Sequence, residues 1–245
     1  MDDDSQEYAL PNRLTLKTYS HLAEKKKKPT EYELVTSKML YYLEKGGFEV
    51  NTPLSEWYEQ YQKNSAIQGV VWEKFLDPRS MTYAAYVKRQ NHREIFLDTI
   101  FKHIDETRYD EERNQTWVNA LSQTIGPLRF LWHGFQMIAS YLGSMAPEGR
   151  LVITFAFQTM DEMSRIQRIA YRMRQLQYTY PNFGVSSLTE WQTSPTWQPL
   201  RKGLEHLLIT FDWMEGFIAL NGLFKPILDR LILVHYSELA KQQGD

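Results

Sequence analysis

Cysteine is absent from this 245-residue chain. That excludes thiol catalysis, disulfide stapling and a cysteine-held iron–sulfur cluster, so any electrons the protein uses arrive from another protein. Net charge is scarce too. The 28 Lys and Arg against 30 Asp and Glu leave −2, which gives no basic field for nucleic acid. No apolar run approaches the ~20 residues of a membrane-spanning helix. Met1-Asp2-Asp3-Asp4 is acidic where a signal peptide would be basic and then apolar, so no membrane partner is read and a cytoplasmic protein is expected. Walker, nucleophile-elbow and dinucleotide signatures are missing, and neither strand alternation nor an internal repeat is found.

What the chain has in quantity is aromatic side chains: 15 Tyr, 12 Phe and 7 Trp. Most such residues belong in a large helical core. Tyr and Trp also anchor interfaces, so part of this surface is expected to meet another subunit. Residues 1–30, with Lys25-Lys26-Lys27-Lys28 before Pro29, read as a solvated extended arm. Thr30 and Glu33 have capping-box spacing before an apolar stretch that Gly46-Gly47 would stop; Leu34 to Leu43 is ambiguous between helix and extended chain.

From Pro53 the period is helical, with Leu54, Trp57, Tyr58 and Tyr61 on one stripe. Asp77-Pro78 suits a helix start. A helix from Pro78 to about Asp105 comes next, with Tyr83, Tyr86, Ile95, Phe96, Ile100 and Ile104 as its expected buried side. Residues 110–124 are helical, and Gly126-Pro127 should then interrupt or kink the chain. Two helices, from Pro127 to Ala146 and from about Arg150 to Tyr178, form an αα-hairpin. A loop rich in Pro, Ser and Thr covers 181–195. A last helical region spans about Thr196 to Lys241, with a kink or break near Pro226.

The stretch Phe155 to Arg165 is the most informative. Carboxylate-bridged di-iron bundles take one Glu from each of two helices and Glu-x-x-His from each of the other two. Here Glu162 stands three residues before Arg165, and an arginine, always protonated, cannot ligate iron. The helix after Pro127 offers no acid; Trp132, Phe135 and Gln136 hold its inward positions. Glu215 is the later candidate, and Glu-x-x-His occurs nowhere. His21, His92, His103, His133, His206 and His235 form no recognisable ligand pair, His133 being nearest to the would-be site. A buried carboxylate needs a cation. Arg165 is therefore expected to pair with Glu162 or Asp161, and with Glu215, where iron would sit. The alternative is a surface ion pair worth ~0–1 kcal/mol, since Arg165, Arg168 and Arg172 also form a stripe.

The chain resembles the small (beta) hydroxylase subunit of bacterial multicomponent di-iron monooxygenases, in the toluene and aromatic branch. The similarity rests on Ser20-His21-Leu22-Ala23-Glu24, Lys27-Lys28-Pro29-Thr30-Glu31-Tyr32, Leu54 to Tyr61, Pro127-Leu128-Arg129-Phe130-Leu131, Tyr141 to Pro147, and Phe211-Asp212-Trp213 through Lys225-Pro226. It implies an all-α, ferritin-like (ribonucleotide-reductase-like) helical bundle over residues 31–245, preceded by the arm. It implies a non-catalytic chain with no cofactor of its own, the di-iron centre being in the alpha subunit, and an α2β2γ2 hydroxylase served by a reductase, a Rieske ferredoxin and an effector protein. Glu162, Arg165 and Glu215 then stand at vestigial ligand positions. The arm and aromatic faces would pack on the large subunit over an obligate interface, above ~2,000 Å². Subunits of this branch continue past the point where this chain ends, at Gln243-Gly244-Asp245, with further C-terminal helices. A stand-alone ferritin-like metalloprotein using Glu162, Glu215 and a histidine is the competing reading, and a helical interaction protein unrelated to oxygenation is a third.

Overall fold

The computed structural model describes residues 29–39, 53–69, 71 and 74–245. The arm expected over 1–30 lies outside them save for Pro29 and Thr30, as do His21 and Gly46-Gly47. The described residues form helices α1 (Glu31–Met39), α2 (Pro53–Tyr58), α3 (Tyr83–Thr107), α4 (Gln115–Met145), α5 (Gly149–Thr179), α6 (Ser187–Thr193), α7 (Gln198–Leu208), α8 (Trp213–Ile218), α9 (Lys225–Arg230) and α10 (Ser237–Gln242). Wide π turns at Glu59–Lys63, Ala219–Phe224 and Leu231–Tyr236 extend α2 and join α8, α9 and α10. Among the described residues there is no strand, and no helix is long and apolar enough to cross a membrane.

The α4–α5 hairpin is the centre of the molecule. Leu128, Leu131, Trp132, Phe135, Ile138, Ala139, Leu142 and Met145 recur at helical spacing along α4, and all are buried. Each large member removed from water contributes about 1.5–3 kcal/mol. Phe155 of α5, Leu204 and Leu207 of α7, Trp213 of α8 and Leu228 of α9 close the same cluster. Trp213 also donates its indole N–H to the Leu142 carbonyl at 2.8 Å.

The ambiguous stretch after Thr30 is helical. The Thr30 N–H donates to Glu33 Oε2 at 2.8 Å and the Glu33 N–H to Thr30 Oγ1 at 3.3 Å, a reciprocal capping box. Helix α1 then crosses the start of α5 so closely that a Cβ on Gly149 would lie 1.8 Å from the Thr36 carbonyl oxygen. Helix α2 is pinned to the end of α4 by its aromatic stripe: Trp57 Nε1 donates to Tyr141 Oη at 3.0 Å and Tyr58 Oη to the Ser144 carbonyl at 2.6 Å.

Several boundaries depart from the sequence reading. Helix α3 begins at Tyr83, not Pro78, because Thr82 caps it by accepting from the Ala85 N–H at 3.2 Å. Asp77 instead accepts the Arg79 N–H in a turn and the Tyr32 hydroxyl at 2.6 Å. Nor does Gly126-Pro127 break the chain; both lie inside α4. Proline frees the carbonyl four residues back, and Trp197 Nε1 donates to that carbonyl, of Gln123, at 3.1 Å. Gly126 is needed there because a Cβ would lie 2.0 Å from Ser187 Oγ. The supposed loop 181–195 contains α6. Its Ser187 and Trp191 are buried, so tertiary packing overrides the turn-forming composition. The last region breaks at Ile209–Asp212, not at Pro226. Asp212 starts α8 by accepting from the Met214 and Glu215 N–H groups, and it also accepts from Ser65 Oγ and the Ala66 N–H. Pro226 instead stands in the first turn of α9, directly after a π turn, a helix-start position that tolerates a missing N–H.

Candidate functional site

Glu162 points inward from the middle of α5, and its side chain is 2% exposed. An ionised carboxylate at such depth requires compensation. Oε1 meets the Lys225 ammonium, brought in by α9. Oε2 accepts no hydrogen bond and lies 3.6 Å from Arg165 Nη1. The same Arg165 nitrogen lies 3.3 Å from Asp229 Oδ1, one helical turn beyond Lys225. Both cations also face the buried indole of Trp132 on α4: the Arg165 guanidinium carbon is 4.3 Å from the ring centroid and Lys225 Nζ 5.9 Å. Cation–π attraction adds to the ion pairs and is strongest where water is excluded.

The expected pairing of Arg165 with Glu162 is thus present, with corrections. Asp161 is not a partner of Arg165: it faces α3, accepting from Tyr86 Oη at 3.0 Å and from Gln90 Nε2. Burial, then the Asp161 charge, pushes the Tyr86 phenol up to about 12. Glu215 is exposed in the first turn of α8 and does not join the cluster. His133 is exposed as well. Lys225 and Asp229 were missed because they meet Glu162 and Arg165, respectively, across 63 and 64 residues of sequence. The available signal was that an ionised Glu162 held deep in the bundle calls for more positive charge than one half-exposed arginine supplies.

The arginine stripe is not a solvated face. Arg168 meets Glu94 and lies 2.9 Å from Asp98, both on α3. Arg172 holds Asp110 through two bonds of 2.7 and 2.6 Å, and Arg113 adds a third at 3.1 Å. Burial alone would raise the Asp110 pKa, but the two guanidinium groups outweigh it and hold the carboxyl below its ordinary range.

Chemically, the centre is an internal salt bridge stacked on an indole. A di-iron centre needs several inward carboxylates and imidazoles around one cavity. The carboxylate here is already met by an ammonium and a guanidinium, whose charge repels a metal cation. These residues do not fit a di-iron centre.

A long antiparallel helical pair with an inward Glu at mid-helix, its charge met by cations, places the chain among all-α, ferritin-like helical proteins. Comparison with known proteins refines this. Residues 56–245 match the model of the Methane/Phenol/Alkene Hydroxylase family. The hydroxylase beta subunit of the toluene-4-monooxygenase system of Ectopseudomonas mendocina is 31% identical over 94% of this chain and 72% of its own length. The hydroxylase small subunit of propane 2-monooxygenase from Rhodococcus jostii (strain RHA1) is 23% identical over 74% of this chain, which spans 49% of that protein. A solved structure of toluene 4-monooxygenase with toluene in its resting active site superposes with a TM-score of 0.80 at 30% identity, over 91% of this chain and 74% of the other. Xenon-pressurized phenol hydroxylase from Pseudomonas sp. OX1, at 22% identity and a TM-score of 0.74 over 92% of this chain and 69% of the other, shares the fold. The chain belongs to the Methane/Phenol/Alkene Hydroxylase family, in which its place is that of a small hydroxylase subunit of a multicomponent monooxygenase.

Proposed function

We propose that this chain is the non-catalytic scaffold of its hydroxylase, supporting a larger iron-bearing subunit that inserts one atom of O2 into an aromatic hydrocarbon. The carrying observation is the Glu162 carboxylate, bound inside the bundle by Lys225 and flanked by Arg165. A chain that spends its one deeply placed glutamate of this helix on an ammonium has given up the donor geometry that iron requires. The assembly is read as α2β2γ2, with electrons delivered from NADH by a reductase and a Rieske ferredoxin, and an effector protein completing the system. The absence of cysteine accords with electron carriers located on other chains.

The test is a native mass spectrum of the complex recovered through a tag on this chain, with iron measured on each dissociated subunit. A two-fold assembly with a larger subunit, iron being found on that partner alone, is the expected result. Recovery of this chain by itself with about two metal ions bound overturns the proposal in favour of a stand-alone metalloprotein.

A further inference from the structure

Helix α3 stands off from α5 on long polar side chains. Tyr86 and Gln90 reach Asp161, Glu94 and Asp98 reach Arg168, and Asp105 reaches Gln175. Between the two helices lies a cavity of about 760 Å³. Protein interiors leave few voids larger than a water molecule, whereas small-molecule pockets run from roughly 300 to 1,000 Å³. The wall of this cavity changes character along α5. Leu121 and Ile125 of α4, Ile169, Met173 and Leu176 of α5, and Phe183 make its far part apolar. Near Asp161 and Arg165 the wall is polar, with Ser164 of α5 and Gln90 and Arg93 of α3. From Arg165 to Leu176 the α5 wall is about 16 Å long at roughly 1.5 Å per residue.

The charges around the cavity leave one arginine over. Arg93, Arg165, Arg168 and Arg172 line it against Glu94, Asp161 and Asp245. Arg165 is held by Glu162 and Asp229, Arg168 by Glu94 and Asp98, and Arg172 by Asp110. Asp245 pairs with Arg113. Asp161 is already engaged by the Tyr86 hydroxyl and the Gln90 amide. Arg93 has no carboxylate within ion-pair distance among the described residues. It comes two turns after Tyr86 and one before Leu97, so it shares the inward side of α3 with both. Arg93 is nevertheless exposed, and it also lines the adjoining recess beside Lys225, which puts it at the mouth of the cavity.

We infer that the cavity between α3 and α5 binds a medium-chain aliphatic carboxylate, its head group on the Arg93 guanidinium and its chain laid along α5 toward Leu176 and Phe183. A guanidinium holds a carboxylate through two parallel N–H···O bonds, and the apolar far wall takes the chain out of water. A flexible chain, rather than a single ring, is the shape that reaches from the mouth to the far end. The site lies within this chain and is independent of the scaffold reading.

The experiment is isothermal titration of octanoate, decanoate and 1-decanol into the full chain, as wild type, Arg93→Gln and Leu97→Trp. Arg93 is exposed and Leu97 half-buried, so circular dichroism should show both variants folded. Wild type should take up a single decanoate per chain, and octanoate, shorter by two methylenes, about 10-fold more weakly. Arg93→Gln should weaken decanoate about 10-fold and leave 1-decanol unchanged. Leu97→Trp, which fills the cavity, should weaken both by at least about 10-fold. No saturable uptake by the wild type, or several equivalent decanoates per chain, overturns the inference. So does 1-decanol binding as tightly as decanoate, or decanoate binding that neither variant changes. Should Leu97→Trp fail to fold, the Arg93→Gln result decides alone.

Discussion

Helices α3 and α4 are neighbours in the chain and both carry large apolar residues, gathered into one buried stripe on α4 and spread around α3, where several are exposed. On α4 the stripe from Leu128 to Met145 is buried by α5, α7 and α8. On α3 only Tyr86 is buried, and the inner face mixes Leu97 and Phe101 with a ladder of carboxylates and amides against α5. Periodicity states that a face must leave water. It does not state whether the chain itself or another chain will cover it. The two helices therefore show one physical rule with two outcomes.

The sharpest way to break this comparison is to truncate one ring on each helix. Phe135→Ala should cost about 4 kcal/mol, since the ring is fully buried and the cavity cannot collapse. Phe96→Ala should change the stability of the free chain by no more than ~0.5 kcal/mol. Urea unfolding of both variants decides the matter, and equal losses would mean that α3 is core.

A second contrast lies within the Glu162 cluster. Lys225→Met leaves a nearly water-free carboxylate with a more distant guanidinium and should cost about 3 kcal/mol, most of it recovered by adding Glu162→Leu. Arg165→Leu should cost about 1 kcal/mol, because that side chain is 34% exposed. An unchanged melting temperature in both single variants would show that the ion pair contributes nothing to stability.

The smallest effects come from titration at the two ends of α3. Asp110 has a depressed folded pKa, so its contribution is present above the ordinary value of 3.8 and is lost as pH falls through the lower folded value. Arg172→Leu should flatten that acid limb. Burial and the Asp161 charge push the Tyr86 phenol from 10.0 up to about 12, so its contribution should fade as pH rises from 10 to 12. Tyr86→Phe should remove this part of the alkaline dependence, leaving that of Tyr32, Tyr141 and Tyr236, whose phenols burial also pushes up. An alkaline limb left unchanged by the substitution would separate the phenol from the α3–α5 ladder.

Local and strongly periodic features were legible in advance. The Thr30–Glu33 capping box, the hairpin around Ala146-Pro147, and the inward position of Glu162 all depend on residues within a few turns of one another. What escaped the sequence depends on distant pairings. Pro127 reads as a breaker until the Trp197 indole, far along the chain, satisfies the carbonyl it frees. The loop composition of 181–195 hides a helix because the burial of Trp191 decides its state. Lys225 could not be named because Arg165 sat at the familiar spacing from Glu162, and proximity in sequence outweighed an unseen neighbour from the last helical region. Glu215 drew notice as an acid in a helix, although its place in the first turn already suited it to exposure beside an N-terminus.

The π turn at Ala219–Phe224 carries a consequence for how such chains are aligned. Within it the Lys225 N–H reaches back to the Leu220 carbonyl, five residues away, as if one residue had been inserted into an α-helical register. At 3.6 residues per turn, one residue amounts to about 100° of rotation. A helical wheel drawn unbroken from Trp213 would point the lysine away from Glu162, and a column-by-column alignment against a regular helix would pair it with the wrong position. The side chain that answers the carboxylate is thus selected by backbone phase as much as by residue identity. Deleting a single residue upstream could move the ammonium out of the bundle without touching Lys225.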